Sequence, residues 1–165
     1  MQQFKDYTGS VYGGLGHLLY AYSQAKGLAI SEKLQQVQNL ERFDYSLWRD
    51  LLTDIEQHVQ VPALGLSIAE YVQPKHLGMI AYIALACKTL GEALYRYHDF
   101  HRLLYDGSPL QVNIQGNYLA INWGEIPFNL TTQVTNEIAI ALMLQFLRLF
   151  MEFETVHIHE VHFTH

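Results

Sequence analysis

At Asp106-Gly107-Ser108-Pro109 the hydrophobic period of the chain changes. Before this turn signal, apolar residues recur three and four apart. After it, Leu110 to Gln115 and Tyr118 to Trp123 alternate in period two, with Gly116-Asn117 between them. A 3.6-residue period suits one face of a helix, and a two-residue period suits one face of a strand. The chain is therefore read as α+β: a helix-rich N-terminal half packed on a small antiparallel sheet. The two alternating runs predict a hairpin with a two-residue turn.

Before the switch, Val11 to Lys26 sets Leu15, Leu18, Leu19 and Tyr22 on one helical face, and Gly27 suits the position just past its end. Asp44 is placed to cap Tyr45 to Val59, with Leu47, Leu51 or Leu52, and Ile55 as its stripe. Pro62 opens a short helix, Ala63 to Tyr71, in which Gly65 marks close packing. His76 to Cys87 reads as a buried helix. Thr89 with Glu92 forms a capping box for Leu90 to Tyr105, whose face is Leu94, Tyr97, His101 and Leu104. After the hairpin, Thr131 or Thr132 caps a long helix reaching about Met151, apolar all round at Ile138 to Leu144 and so central. Thr155 to Thr164, β-branched and rich in His, reads as a final strand.

With 165 residues, the chain is long enough for one domain with a real core, residues 1–165. Half of it is hydrophobic and only 16% is charged, which excludes disorder. The formal charge of -6 leaves no basic stripe with which this segment could grip DNA or an anionic membrane. One cysteine, Cys87, excludes an internal disulfide and suits a reducing compartment. The first ten residues do not read as a signal peptide, and the longest uncharged apolar run, Leu77 to Cys87, is short of the roughly 20 residues of a span. The expected location is the cytoplasm. No cofactor is expected: Gly13-Gly14-x-Gly16 lacks the preceding strand, the Lys and the glycine order of a phosphate loop.

The chain resembles a known family along most of its length, from about Leu18 to His165. Pro62-Ala63-Leu64-Gly65-Leu66-Ser67-Ile68-Ala69-Glu70, His76-Leu77-Gly78-Met79-Ile80-Ala81-Tyr82, Thr89-Leu90-Gly91-Glu92-Ala93-Leu94 with Tyr97, His98, Leu103 and Leu104, and Val161-His162-Phe163-Thr164-His165 follow one another as in the N-terminal effector-binding, arabinose-binding-like domain of AraC-type bacterial transcription regulators. The chain departs from the pattern at Ala81, where a second Gly is usual, and in its His-rich end. The resemblance implies a sensor and oligomerisation domain, not an enzyme. It implies a small-molecule effector (amino acids, related metabolites and fatty acids are typical), a homodimer, and DNA contact only through a C-terminal helix-turn-helix domain absent from this chain. An end within a strand-like run at Phe163-Thr164-His165 fits a cut at that boundary.

Two clusters carry candidate chemistry. Tyr95, Tyr97, His98, His101 and Arg102 on the capped helix, with Tyr82 from the helix before it, combine aromatic walls with a guanidinium fork, as a pocket for an acidic or polar small molecule does. The bland reading is an amphipathic helix whose Tyr and His tips reach solvent. His157 and His159 share one face of the final strand and form a weak candidate metal edge, set against a strand on which His is merely a polar residue. Cys87 lies among Ala84, Leu85 and Ala86, an environment that makes a thiol inert. Two alternatives to the sensor remain: a ligand-free protein–protein dimerisation module using the long helix, and a His-dependent metal-binding protein.

Overall fold

The structure, a computed structural model, describes residues 8–123, 131–149 and 158–162. In chain order the elements are β1 (Ser10–Tyr12), α1 (Gly13–Ala25), α2 (Glu32–Val37), β2 (Arg42–Asp44), α3 (Tyr45–His58), α4 (Leu64–Ala69), α5 (Pro74–Leu77), α6 (Met79–Leu85), α7 (Leu90–Phe100), a 3-10 turn (His101–Leu103), β3 (Leu110–Gln115), β4 (Tyr118–Trp123) and α8 (Gln133–Arg148). The described part is α+β: mainly helical, with two antiparallel sheets of two strands each.

The predicted stripes face inward. Leu15, Leu18, Leu19 and Tyr22 of α1 are buried, as are Trp48, Leu51, Leu52 and Ile55 of α3. Each fully buried Leu is worth roughly 1.5–3 kcal/mol relative to exposure. On α3, Trp48 takes the inward place expected of Leu47, which is half-buried. Gly27 ends α1 as expected: its N–H donates to Gln24 O (3.1 Å), and the Leu28 N–H donates to Ser23 O (2.9 Å). Thr132 caps α8 by accepting from the Thr135 N–H (3.2 Å), while the Thr135 hydroxyl oxygen accepts from the Thr132 N–H (2.8 Å). Ile138, Ala141, Leu142 and Met143 of α8 lie in the core. Gly65 lets α4 close on α8. A Cβ there would sit 2.5 Å from both Glu137 Cβ and Ile138 N.

Four expectations need correction. The helix expected over His76 to Cys87 is two helices, α5 and α6, broken at Gly78. Gly78 adopts φ 66 and ψ -146, a conformation open to glycine and almost closed to other residues, and the Tyr12 ring packs where a side chain would stand. The helix expected to reach Tyr105 tightens into the 3-10 turn after Phe100. A second sheet, β1 paired with β2 in the register Ser10↔Asp44, Val11↔Phe43 and Tyr12↔Arg42, takes residues assigned by pattern to a helix start and a loop. Finally, Ile158–His162 forms no strand. These residues are exposed, and their contacts run through side chains: His159 stacks on Tyr118, with ring centroids 4.7 Å apart, and His162 Nε2 lies 2.7 Å from Glu160 Oε2. The remainder of the expected strand, including His157, lies outside the described residues.

The hairpin forms as predicted, with Leu110↔Trp123 through Gln115↔Tyr118 in unbroken register. Of the two turn residues only Gly116 has positive φ, at 60, which fits a type II′ turn. Only the base of the hairpin rests on the helices. Leu110 is buried, and Val112, Ile121 and Trp123 pack against the core.

Candidate functional site

The stretch from Thr89 to Ser108 carries most of the candidate ligand residues, and its start is set locally. The Thr89 hydroxyl accepts the Glu92 N–H at 3.1 Å. The Glu92 carboxylate accepts the N–H of Lys88, also at 3.1 Å, one residue earlier than a reciprocal box would have it. From this cap α7 presents two faces. Ala93, Leu94 and Tyr97 are buried, and the Tyr97 ring meets Phe146 of α8 at 4.7 Å. Burial pushes the Tyr97 hydroxyl well above the usual phenol range, so it stays protonated.

Tyr95 and His98 are exposed on the outer face of α7, and Arg102 is exposed in the 3-10 turn that follows it. The structure thus divides the candidate set. Tyr95 and His98 on α7 and Arg102 on the turn after it make up the exposed stripe, Tyr97 is a core residue, and Tyr82 is an exposed residue of α6. His101 lies between the faces. Its Nδ1 is 2.7 Å from His98 O and its Nε2 is 3.3 Å from Ser108 O. Both partners are acceptors. A neutral imidazole donates to one of them, and the imidazolium donates to both. The His98 and His101 rings lie 6.3 Å apart, and His98 Nδ1 is 3.4 Å from Asp99 Oδ1.

Behind this stripe stands a junction that the sequence did not reveal. Arg42 of β2 reaches the C-terminal end of the α7 region, where unpaired carbonyls and the helix dipole attract a cation. Its Nη1 donates to Leu103 O (2.6 Å) and its Nη2 to Arg102 O (3.3 Å) and Ser10 O (2.9 Å). Its Nε donates to Ser10 Oγ (2.8 Å), and Asp106 Oδ2 lies 3.6 Å from Nη2. Asp106 in turn accepts from the Ser10 N–H (2.6 Å) and hydroxyl (3.0 Å). The Tyr12 N–H donates to Leu104 O (2.8 Å), which ties the β1–β2 ribbon directly to the end of the α7 region. The partners lie 32 to 96 residues apart, beyond any local pattern.

A separate cavity of about 30 Å³ opens between α1, α2 and α3, with Ser23, Leu34, Leu51 and Ile55 in its walls and Asp54 and His58 beside them. A metabolite pocket occupies roughly 300–1,000 Å³, so this one is too small for an effector. Of the candidate metal edge, His159 is engaged with Tyr118. Among the described residues no group of three or more His, Cys, Asp or Glu is placed to hold a metal ion, and no helix is long and apolar enough to cross a membrane.

Comparison with known proteins adds one finding. Residues 25–165 match the family model of the N-terminal arabinose-binding domain of AraC transcription regulators. No curated protein matches the chain. The matched region holds α2 to α8, the hairpin, and Arg42 and Asp106 of the junction, while β1 with the junction's Ser10 and Tyr12, and nearly all of α1, precede it. Since the match covers most of the sequence, the chain belongs to the family of N-terminal arabinose-binding domains of AraC transcription regulators, and its role is that of a regulatory ligand-binding domain.

Proposed function

We propose that this chain is the effector-sensing and oligomerisation domain of a transcription regulator, and that it binds a small polar or acidic metabolite on the exposed stripe formed by Tyr95 and His98 of α7 and Arg102 of the 3-10 turn after it. Family membership over residues 25–165 is the observation that carries this reading. On the stripe, Arg102 offers a planar fork for a carboxylate, His98 a second polar contact, and Tyr95 an amphipathic wall, with Tyr82 a further wall on α6. His101 and Tyr97 position the stripe: His101 ties it to Ser108, and Tyr97 anchors it to α8.

The mechanism is a shift between two states, not a reaction. An effector that contacts Arg102 loads the segment whose carbonyls Arg42 holds, and this segment continues through Ser108 into the hairpin. Binding biases an attached DNA-binding domain only as far as the effector prefers one arrangement of this junction over the other. DNA contact belongs to that further domain, the working unit is a homodimer, and the setting is the cytoplasm.

Calorimetric titration with an effector tests the site. Arg102→Ala and His98→Ala each weaken binding by roughly tenfold or more, the loss of one charge-assisted hydrogen bond, while the unfolding midpoint stays put because both side chains are exposed. Unchanged affinity in both variants removes the site from this stripe.

A further inference from the structure

Residues 104–106, between the 3-10 turn and Gly107, lie along the edge of β1 that β2 leaves open. Val11 and Tyr105 pair antiparallel, the Tyr12 N–H donates to Leu104 O (2.8 Å), and the Asp106 N–H donates to Ser10 O (3.2 Å). Bonds that flank a central pair in this way are those of an antiparallel ladder, so the segment docks as a short third strand beside β1 and β2. Side chains fasten it. Asp106 accepts from both the N–H and the hydroxyl of Ser10, and Arg42 holds the two carbonyls just before the segment. The Tyr105 hydroxyl donates to Thr8 O (3.0 Å), and its ring lies 5.0 Å from that of Tyr45.

These holds are polar and reached by water. The side chains of Arg42 and Asp106 are 33% and 27% exposed, and Tyr105 is half-buried. Regions that open ahead of the rest of a protein have few buried apolar contacts and hydrogen bonds that solvent can replace. The core helix α8 is the opposite case, with Ile138, Ala141 and Leu142 all buried. The segment also has a pivot at each end. Before it stands the 3-10 turn, whose hydrogen bonds are poorer than those of an α-helix. After it stands Gly107, and a few residues further on begins β3.

We propose that residues 104–106 are a latch: a strand that undocks from β1 as a unit while the helices stay folded, and that loosens the hairpin as it goes. The proposal rests on the sensor reading for its stimulus alone. There it supplies the regulation of the stripe. Arg42 holds the carbonyl of Arg102 only while the latch is docked, so an effector that fixes Arg102 favours docking, and undocking weakens the effector's hold by the same factor.

Hydrogen exchange resolved to single amides, on the whole chain without effector, tests the latch apart from the stripe. The Tyr12 and Asp106 amides, which cross the pairing, exchange together and at least tenfold faster than those of residues 138–142 in α8. Low concentrations of urea leave their rate unchanged, the mark of an opening that exposes little surface. Asp106→Asn speeds both by roughly tenfold, the loss of one charge-assisted hydrogen bond. Gly107→Ala does so by a second route, since its Cβ would stand 2.5 Å from Thr8 O. In both variants the amides of β3 and β4 speed up with the latch, and circular dichroism shows the helices retained. Latch amides that share the rate and urea dependence of α8 in the parent overturn the proposal, and this comparison decides the matter if the variants fail to fold. A faster latch with unchanged β3 and β4 overturns it as well. An effector stripe that fails its calorimetric test leaves both of these outcomes where they stand.

Discussion

Replacing Gly65 by alanine sets two well-measured effects against each other. Alanine is the better helix former by about 1 kcal/mol in a helix interior, so on propensity alone α4 gains. The new Cβ, however, would lie 2.5 Å from Glu137 Cβ and 2.5 Å from Ile138 N, and the second of these is backbone that cannot swing aside. The two helices must part. Overpacking of this kind costs roughly 1–3 kcal/mol. Parting also stretches the 3.1 Å hydrogen bond from the Gly65 N–H to Glu137 Oε2, which is worth about 1 kcal/mol or more. The net expectation is a loss of roughly 1–3 kcal/mol, or a fall in midpoint of about 3–10 °C for a domain of this size. Gly91 provides the control. It is an exposed residue of α7, and a Cβ there meets nothing within 4 Å. Gly91→Ala is therefore expected to stabilise by up to about 1 kcal/mol. Urea unfolding followed by circular dichroism, with equal slopes for both variants, measures the pair. If Gly65→Ala is as stable as the parent, or gains as Gly91→Ala does, the close approach of α4 and α8 is wrong.

Three further outcomes follow. Arg42→Ala removes the fork that holds Leu103 O, Arg102 O and Ser10, and since the side chain is a third exposed the cost is about 1–3 kcal/mol; Arg42→Lys recovers little of it, because one ammonium cannot span three separate acceptors, and full recovery by lysine would contradict the junction. Gly78→Ala forces a side chain into φ 66, ψ -146 against the Tyr12 ring and is expected to cost more than 1 kcal/mol, read as a lower urea midpoint. Burial, followed by the charges of Lys75 and His17, lowers the pKa of His76 to about 4 from an ordinary 6.5. The unfolded chain takes this proton first, so the stabilisation is complete above about pH 6.5 and declines as pH falls toward 4, by up to about 3 kcal/mol. His76→Gln should flatten that part of the stability–pH curve, and a curve of unchanged slope refutes the assignment.

Much of the helical half was legible because one local rule governed each element. The Leu15–Tyr22 stripe, the Thr132 cap and the Gly116-Asn117 turn all lie where period and turn chemistry put them, and Asp44 holds the N-cap position of α3 without a capping bond from its side chain. Gly65 stands out in the sequence as a packing glycine, and the reason is a second helix, α8, whose Glu137 lies 72 residues on. The failures share the opposite cause. Helix α2 has only Leu34 and Val37 as a stripe, too short to register, although Ser31 caps it by accepting the Leu34 N–H at 3.2 Å. Strands β1 and β2 are three residues each and exist through their pairing, which no local pattern encodes. Gly78 sat in a run whose apolar texture reads as one helix, and only its backbone angles show the break.

The candidate site was legible as a list of residues on one helix, but not as a geometry. Periodicity separates Tyr97 from Tyr95, since Tyr97 shares the face of Leu94. Arg42 was out of reach altogether, because nothing near it in the chain foretells carbonyl partners on the far side of α7.

A thermal-shift titration of the chain against amino acids, related metabolites and fatty acids tests the sensor reading most directly. Binding to the folded state alone raises stability by about 2.7 kcal/mol at one hundred times the dissociation constant, which moves the midpoint by several degrees and in proportion to the logarithm of effector concentration. The account predicts one chemical class that does this saturably, and the loss of the shift in Arg102→Ala. A midpoint that no compound moves, at concentrations where such metabolites are abundant, contradicts it and leaves a ligand-free association module as the better description of the chain.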